Sequence, residues 1–303
     1  MADTVFQAYA AIGNREDLID LITNISPLDT PMLSRFGRTV ATATYHEWQT
    51  DTINSASSTG LNEGTDTDAP VLTPTARAGN YTQICNAIFR VSHTQLAVKS
   101  AGRANEYAYQ AAKAMKEVSR DMECSIHDST LYSGWSGTPS PRQLKGVRSW
   151  LSTNTDTGTG ASGGLSGVTL TSARLNTFLA AVWAQGGKPN AIYVGSYQKG
   201  QIASFTTPLT RYEDMATKRY TAVVNVYDSM FGPLDVLLDR YASTTELVAL
   251  QDDLWRVAYL RPMKTYDLPD GGGGPKGKVE VEFTLESLNE KGSGKMIYLT
   301  VLA

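Results

Sequence analysis

The clearest hydrophobic period in the chain lies between Arg103 and Leu131, where apolar side chains recur every three or four residues. This spacing predicts an amphipathic helix of about seven turns, roughly 40 Å long at 1.5 Å per residue. Lys113 and Glu117 lie one turn apart on its polar face. The apolar stripe is formed by Ala104, either Tyr107 or Ala108, Ala111, Met115, Val118, Met122 and Ile126.

A shorter helical pattern occurs nearer the N-terminus, within residues 15–36. Its apolar stripe is formed by Leu18, Ile19, Ile22 and Ile25. We expect Pro27 and Pro31 to end this helix, because proline removes a backbone donor and clashes with the preceding turn. An apolar helix this short needs a partner surface.

The period changes from helical to alternating within residues 39–91. A Ser-, Thr-, Gly- and Asp-rich stretch occupies residues 54–70, and strand character resumes over residues 81–91. We interpret the region as a long two-stranded excursion with a polar tip. It holds too few aliphatic side chains to bury a core, so we expect a neighbouring subunit to order it. In its first strand Tyr45, Glu47 and Gln49 alternate with His46 and Trp48.

Residues 133–167 are rich in Gly, Ser, Thr and Pro and mark a boundary. Beyond them the pattern predicts a compact α+β domain followed by a tail of strands. On the strand predicted over residues 278–288, one face carries Val279, Val281, Phe283 and Leu285. The predicted helices cover residues 171–185 and 196–205, and the predicted strands cover residues 191–194, 220–226, 234–239, 246–250, 255–260, 278–288 and 295–302.

Composition favours a protein that packs against other proteins. The 303-residue chain is 41% hydrophobic but only 19% charged, and small neutral polar residues take the place of the missing charges. Copies of a protein with such a surface repel one another less. The formal net charge of −3 gives no global basic field to hold nucleic acid, so a sequence-specific DNA binder is not expected. The first third is distinct, since no lysine occurs before Lys99.

The two cysteines, Cys85 and Cys124, match neither a disulfide framework nor a zinc spacing. We interpret both as buried thiols of a protein folded in a reducing cytoplasm. The N-terminal residues lack the basic start of a signal peptide, and no apolar run approaches the ~18 residues of a membrane span.

Several glycine-rich patterns have the spacing of catalytic or cofactor motifs but the wrong flanks. Gly158, Gly160 and Gly163 lack the strand and helix of a dinucleotide site, and Ser162 sits in a glycine run that does not suggest a strained nucleophile elbow. Residues 272–278 resemble a phosphate loop, but a strand is predicted to follow where a helix is required. We interpret these segments as loops and turns.

Metal and base-stacking motifs are equally incomplete. Cys124 and His127 supply at most half a metal site. The carboxylates at positions 63, 66 and 68 lack the order of a calcium loop, so a solvated tip is favoured over adventitious calcium. Tyr45, Trp48 and Arg77 suit a hairpin face against protein better than stacked bases, because positive charge is scarce there. We therefore predict no cofactor, no metal and no enzymatic activity.

Four stretches together resemble a known family. The chain is similar to the major capsid (major head) proteins of tailed bacteriophages, and the resemblance implies the Hong Kong 97-type capsid fold. A host-encoded nanocompartment shell of the same fold stays open as an alternative, and a serine hydrolase using Ser162 is a distant one. The four stretches are ISPLDTPM at residues 25–32, ATATYHEWQTD at 41–51, AGRANEYAYQ at 101–110 and LWRVAYLRP at 254–262.

The resemblance also implies how the chain is divided. Residues 1–38 would form an N-terminal arm, 39–92 an extended β-hairpin loop, 93–168 a peripheral domain with a spine helix, 169–252 an axial domain, and 253–303 the return to the peripheral domain. Arm and loop would contact neighbouring copies. The candidate interface residues are Leu18, Ile22, Pro27, Pro31, Tyr45, Glu47, Trp48, Asp51 and Arg77.

On this template the chain self-assembles through hexamers and pentamers into an icosahedral head around double-stranded DNA, after folding in the host cytoplasm. Its partners would be its own copies, together with scaffolding, portal and decoration proteins, and DNA would touch the inner wall only non-specifically. Some relatives join a loop lysine to a neighbouring asparagine, but residues 39–92 contain no lysine, so we predict no such crosslink. We expect scaffolding to come from a separate protein or a removed segment.

Overall fold

The computed structural model describes residues 29–51, 74–98, 105–128, 133–134, 141–157, 167–205 and 225–301, together with scattered positions between 53 and 64. Its helices are α1 (Pro31–Arg35), α2 (His93–Ala97), α3 (Glu106–Asp128), α4 (Val147–Trp150), α5 (Ser172–Ala184) and α6 (Ser196–Phe205). Its strands are β1 (Gly37–Val40), β2 (Tyr45–Thr50), β3 (Ala76–Tyr81), β4 (Gln83–Arg90), β5 (Thr155–Asp156), β6 (Ala191–Val194), β7 (Val226–Ser229), β8 (Gly232–Leu238), β9 (Leu247–Leu250), β10 (Trp255–Leu268), β11 (Lys276–Ser287) and β12 (Gly294–Met296).

A four-stranded sheet of order β1-β10-β11-β4 packs against the long helix α3. β1 runs parallel to β10, and the other two pairings are antiparallel. The apolar face predicted for β11 is confirmed, because Val279, Val281, Phe283 and Leu285 are all fully buried. This sheet and α3 together are called the body below.

Helix α3 confirms the strongest sequence prediction. Its 23 described residues span about 35 Å. The buried stripe includes Val118, Met122 and Ile126, as the period requires. Ala108 and Met115, which the predicted stripe also included, are exposed. The predicted ends at Arg103 and Leu131 lie outside the described residues.

The second sheet has six strands in the order β5-β12-β9-β6-β8-β7 and mixes parallel with antiparallel pairs. Helices and strands thus combine as the α+β class predicts. Two predicted strands differ from the structure. Most of residues 220–226 lies outside the described residues, and β7 begins only at Val226. Strand structure over residues 295–302 is limited to the start, because β12 ends at Met296.

The excursion predicted over residues 39–91 holds more than two strands. β2 and β3 form an antiparallel two-stranded sheet, called the hairpin below. β4 follows after one residue and joins the body by pairing with β11. The last part of the excursion is therefore ordered by its own chain, which corrects the expectation that a neighbour orders all of it.

Buried side chains form two hydrophobic clusters. The first fills the body, extends to β6 and β9 of the six-stranded sheet through Tyr193 and Val248, and includes the largest buried ring, Trp255. The second fills the space between α5, α6 and the six-stranded sheet and includes Leu175 and Ile192. Within the described part of the chain, no helix has the length and apolar character of a membrane span.

Candidate subunit-contact surfaces

The hairpin is attached to the body through its tryptophan. The burial pattern of β2 alternates as predicted, with Trp48 the buried position. Its indole Nε1–H donates to the carbonyl oxygen of Ser287, 2.8 Å away, and its ring lies 5.5 Å from that of Trp150. Trp48 was a candidate interface residue, but its side chain is only 9% exposed because its own chain covers it. Trp48 therefore leaves little surface for a contact with a neighbouring copy.

Asn80, on β3, makes the second attachment. Its side-chain amide donates to the carbonyl oxygens of Leu285, at 2.8 Å, and Lys145, at 3.1 Å. Its Oδ1 accepts the backbone N–H of Lys145 at 2.8 Å. The residue is fully buried, so an amide that water would otherwise solvate has every part of its polar group paired. Asn80 thus fixes the hairpin to two separate segments of the body.

The outward face of the hairpin remains open. Tyr45 is partly exposed, and its ring lies 4.7 Å from that of Tyr81. It also lies over Gly79, where an added Cβ would come within 2.8 Å of the Tyr45 ring, so the close approach requires glycine. Glu47 and Arg77 form an exposed ion pair with 3.7 Å between Oε1 and Nη1. Asp51 is exposed just after β2.

The C-terminal end of the arm, residues 31–36, is called the stem below. Pro31 begins α1, because the first helical position tolerates a residue without an N–H. The helix that Pro27 and Pro31 were expected to end lies outside the described residues. The carboxylate of Glu123 accepts the next two backbone N–H groups, those of Met32 at 2.7 Å and Leu33 at 2.8 Å. The side chain of Phe36 stacks on Trp255 with 6.1 Å between ring centroids. The stem is thus buried in its own chain.

The charge state of Glu123 follows from its position. Burial raises its pKa to about 7, although the two N–H donors lower it and the nearby Asp239 carboxylate adds to the rise. One turn further along α3, the imidazole of His127 lies 3.7 Å from Asp239, and burial lowers the pKa of this histidine. Titratable groups therefore lie beneath the stem, where α3 meets the end of β8.

The face of the body sheet turned away from α3 carries a row of carboxylates: Glu280, Glu282 and Glu286 are all at least nine-tenths buried. Glu282 accepts bonds from Arg142 at 2.7 Å and Arg261 at 2.8 Å. Arg261 also lies 2.5 Å from Glu280, which Lys278 contacts too. Buried carboxylates require such partners, since an unpaired one would be costly.

The remaining candidate residues divide into two groups. Leu18, Ile22 and Pro27 lie outside the described residues, as does Ser162. Cys85 is buried as predicted, but the prediction for Cys124 is wrong because it is exposed. Cys124 lies about 200° around α3 from the buried Met122, on the opposite face of the helix.

Of the remaining motifs, Gly158, Gly160, Gly163 and the carboxylates at positions 66 and 68 lie outside the described residues. Residues 272–274 form bends between β10 and β11, and a strand follows as predicted. Among the described residues, no group of three or more His, Cys, Asp or Glu is arranged to hold a metal ion.

Sequence reasoning missed Asn80 and Glu123. Each carried a weak signal: asparagine is unfavourable within a strand, and Glu123 lies at the edge of the apolar stripe between Met122 and Ile126. A polar residue in such a position either faces solvent or has a specific partner. The partners lie 65 to 205 residues away for Asn80 and about 90 residues away for Glu123, which local patterns do not reveal.

Solved capsid structures share this architecture over nearly the whole chain. A structure from Mycobacterium phage Adephagia has a TM-score of 0.63 at 9% identity and covers 99% of both chains. The capsid of a native GTA particle has a TM-score of 0.62 at 12% identity, covering 97% of this chain and 98% of the other. The phage G gp27 major capsid proteins, solved with gp26 decoration proteins, have a TM-score of 0.57 at 9% identity and cover 99% of both chains. The fold is the Hong Kong 97-type fold of phage major capsid proteins, as the resemblance implies.

Comparison with models of protein families identifies the family, within phage major capsid proteins, to which the chain belongs. The model of the SU10 major capsid protein family matches residues 2–300, and the chain belongs to that family. The major capsid protein of Escherichia phage Phieco32 is 34% identical over 121 residues. That match covers 40% of this chain and 34% of the relative, so it spans about a third of the relative's length.

Proposed function

We propose that this chain is the major capsid protein of a tailed bacteriophage and that its copies assemble, through hexamers and pentamers, into the icosahedral head enclosing double-stranded DNA. The observation that carries the proposal is the match of the SU10 major capsid protein family to residues 2–300. The proposed role of the chain is non-covalent association of its copies. No catalytic, cofactor or metal role is assigned to any residue.

The open faces of the molecule support assembly through several different contacts. One is the outward face of the hairpin with Tyr45, Glu47 and Arg77. Another lies beside the six-stranded sheet, where Trp183 is 61% exposed and Met230 is 86% exposed. Different patches meeting different neighbours produce rings and shells, and many modest contacts per copy give the shell its persistence.

We propose the division into arm (1–38), extended loop (39–92), peripheral domain (93–168 and 253–303) and axial domain (169–252). The second hydrophobic cluster supports an axial part, because most of its members lie within 169–252. The first cluster joins the two parts, since it takes Ala191, Tyr193, Val248 and Leu250 from the same range. Of the candidate interface residues, we retain Tyr45, Glu47, Asp51 and Arg77 on the hairpin, and Leu18, Ile22 and Pro27 on the arm. Pro31, at the start of the stem, is also retained, whereas Trp48 attaches the hairpin to its own chain.

Partners beyond the chain's own copies are part of the proposal. The phage G structure contains decoration proteins, and a satellite phage P4 procapsid structure includes a size determination protein. We propose that scaffolding, portal or decoration proteins bind this shell, that DNA contacts its inner wall non-specifically, and that assembly takes place in the host cytoplasm. The net charge of −3 supports weak DNA contact, because affinity scales with the number of phosphates neutralised.

The experiment is negative-stain microscopy combined with sedimentation of the purified full chain, alone and with a scaffold candidate encoded beside it. Shells, tubes or capsomer rings are expected. A monomer at every salt concentration tested, with and without that candidate, would contradict the proposal. Terminase and portal genes beside the coding region would distinguish a phage head from a nanocompartment shell. Hydrolase activity abolished by Ser162→Ala would revive the enzymatic alternative.

A further inference from the structure

Three ionisable side chains are enclosed where the stem, α3 and the six-stranded sheet meet. Glu123 and His127 lie one turn apart on α3, and Asp239 follows the last residue of β8. None of the three is more than 2% exposed. Ionisable side chains are rarely buried this completely without a partner of opposite charge, because removing a charge from water is costly. The charge that each member carries therefore determines how firmly the three elements are joined.

Glu123 has backbone partners but no cationic one. Its carboxyl oxygens accept the N–H groups of Met32 and Leu33, which attaches the first turn of the stem to α3. Within the described part of the chain, no Lys, Arg or His forms an ion pair with it. The charge that acts on it is the carboxylate of Asp239, which has the same sign. Burial and this like charge raise the pKa of Glu123 to about 7, although the two N–H donors lower it.

His127 is enclosed without a completed ion pair. Its Nε2 lies 3.7 Å from Oδ2 of Asp239, slightly beyond hydrogen-bonding distance. Neither ring nitrogen has a hydrogen-bond partner among the residues that the structure describes. Burial lowers the pKa of this histidine below its ordinary value of 6.5, although the carboxylates of Asp239 and Asp128 oppose the change and Arg148 of α4 adds to it. The buried imidazole is therefore largely neutral at pH 6.5.

Asp239 is held in place by the six-stranded sheet. Its backbone N–H donates to the carbonyl oxygen of Val194 on β6 at 3.0 Å. Its Oδ2 is buried and has no hydrogen-bond partner among the described residues. Arg35, the one ionisable side chain of the stem, pairs with two carboxylates outside the cluster. The other ionisable groups on the surrounding elements are Cys124, Tyr193, Arg240, Tyr241 and Glu246.

We propose that Glu123 and His127 form a charge-compensated lock, in which the closed junction keeps the carboxyl protonated and the imidazole neutral, and opening moves one proton from Glu123 to His127. In water the order is reversed, since glutamate releases its proton near pH 4.5 and histidine near pH 6.5. Between these values opening converts a carboxyl and an imidazole into a carboxylate and an imidazolium, with no net uptake or release of protons. The lock is a property of one chain and goes beyond the proposed function.

The two members of the lock have opposite pH dependence. Because the pKa of Glu123 is raised in the folded state, its contribution to stability is complete below pH 4.5 and is lost as the pH rises toward 7. Because the pKa of His127 is lowered, its contribution is complete above pH 6.5 and is lost as the pH falls through the folded value. Each slope alone changes the equilibrium constant of unfolding by about tenfold per pH unit, and the two cancel when both groups are present.

Urea denaturation of the unassembled full chain between pH 5 and pH 6.5 tests the lock. Each profile is compared with that of the double variant Glu123→Gln/His127→Gln, which removes the contribution of other titrating groups. Relative to it, the native chain should show no pH dependence. His127→Gln should lose stability as the pH rises, and Glu123→Gln should gain stability, each by about tenfold in the unfolding constant per pH unit. A native profile that follows either single variant would overturn the proposal.

Asp239 supplies a second readout over a wider pH range. Its charge raises the pKa of both Glu123 and His127, so adding Asp239→Asn to either single variant should move the limits of the slope to lower pH. Asp228→Asn is the matched control, because it removes the same charge from an exposed position of β7 and should leave the limits in place. Limits that do not respond to Asp239→Asn, or that move to higher pH, would overturn the proposal.

Imidazole NMR of the native chain decides the question if the double variant does not fold. The resonance of His127 is identified by its absence from His127→Gln. We expect it to be that of a largely neutral imidazole at pH 6.5 and to titrate only at lower pH. A resonance that titrates at or above pH 6.5 would contradict a neutral His127 in the closed junction and overturn the lock.

Discussion

The body is held together by a different kind of contact from the hairpin and the stem. In the body, β11 lies between β10 and β4, and nearly all of its residues are buried. The hairpin has one buried ring and one buried asparagine, and the stem is held largely by one carboxylate and two aromatic contacts. The body is thus stabilised by a large buried apolar area, whereas the hairpin and the stem depend on a few specific groups. Single substitutions should distinguish these two kinds of stabilisation.

The largest effect is expected for Phe283→Ala at the centre of β11. Its ring is fully buried, so truncation removes apolar contacts and leaves a cavity, with a cost of about 3–5 kcal/mol in the free energy of unfolding. Urea denaturation of the unassembled chain measures it. Ile88→Ala on β4 is the matched control, because Ile88 is 56% exposed and its truncation should cost no more than about 0.5 kcal/mol. Equal losses of stability from Phe283→Ala and Ile88→Ala would contradict the conclusion that buried area stabilises the body.

A smaller and local effect is expected for Asn80→Ala. The substitution removes three hydrogen bonds and leaves buried groups of Lys145 and Leu285 unpaired, at about 1–3 kcal/mol for each group that water does not reach. Limited proteolysis should show the hairpin cleaved faster while the body stays protected. Asn86→Ala, at an exposed position of β4, is the control. Uniform loss of protection across both regions would contradict an attachment confined to the hairpin.

Glu123 gives the attachment of the stem a pH dependence. Its pKa is raised in the folded state to about 7, so its contribution to stability is complete below the unfolded pKa of about 4.5 and falls as pH rises toward 7. His127, whose pKa is lowered, has the opposite slope, so the test compares variants. We expect the native chain to lose stability relative to Glu123→Gln between pH 5 and pH 8, as measured by urea midpoints. Glu117→Gln, on the exposed face of α3, should leave the profile unchanged.

The smallest effect on the isolated chain is expected for Glu47→Gln. Glu47 and Arg77 are exposed, and such ion pairs contribute about 0–1 kcal/mol. The free energy of unfolding should therefore stay within about 0.5 kcal/mol of the native value. If the outward face of the hairpin contacts a neighbour, the yield of particles in sedimentation should fall nonetheless. Unchanged stability together with unchanged yield would remove Glu47 from the interface.

Sequence patterns predicted the body better than its attachments. The period of α3 and the valines of β11 are local signals, and both are confirmed by burial. The same reasoning would expose Glu280, Glu282 and Glu286, because alternating charge normally faces solvent. Glu280 and Glu282 are buried with partners from other parts of the chain, Arg142 and Arg261, and Glu286 lies 3.9 Å from His46.

Two further results have more local causes. Pro31 begins α1, a role that the local pattern did not reveal because the same residue type also ends helices, and Glu123 accepts the N–H groups that follow it. Cys124 was expected to be buried because cysteine usually is, although its angle on α3 points away from the stripe. The interface on the outward face of the hairpin stays a prediction, because its residues are identified by their exposure rather than by any local sequence pattern.

Arg35 joins parts of the molecule that the chain encodes far apart. Its guanidinium lies 2.8 Å from Asp235 on β8 and 2.6 Å from Asp252 beside β10, while Met32 and Phe36 on either side are buried. Traction applied to the polypeptide upstream of Asp29 would therefore not peel away a surface strap. The force would pass through Arg35 to both sheets, so a mechanical load on one copy is shared between its four-stranded and six-stranded sheets.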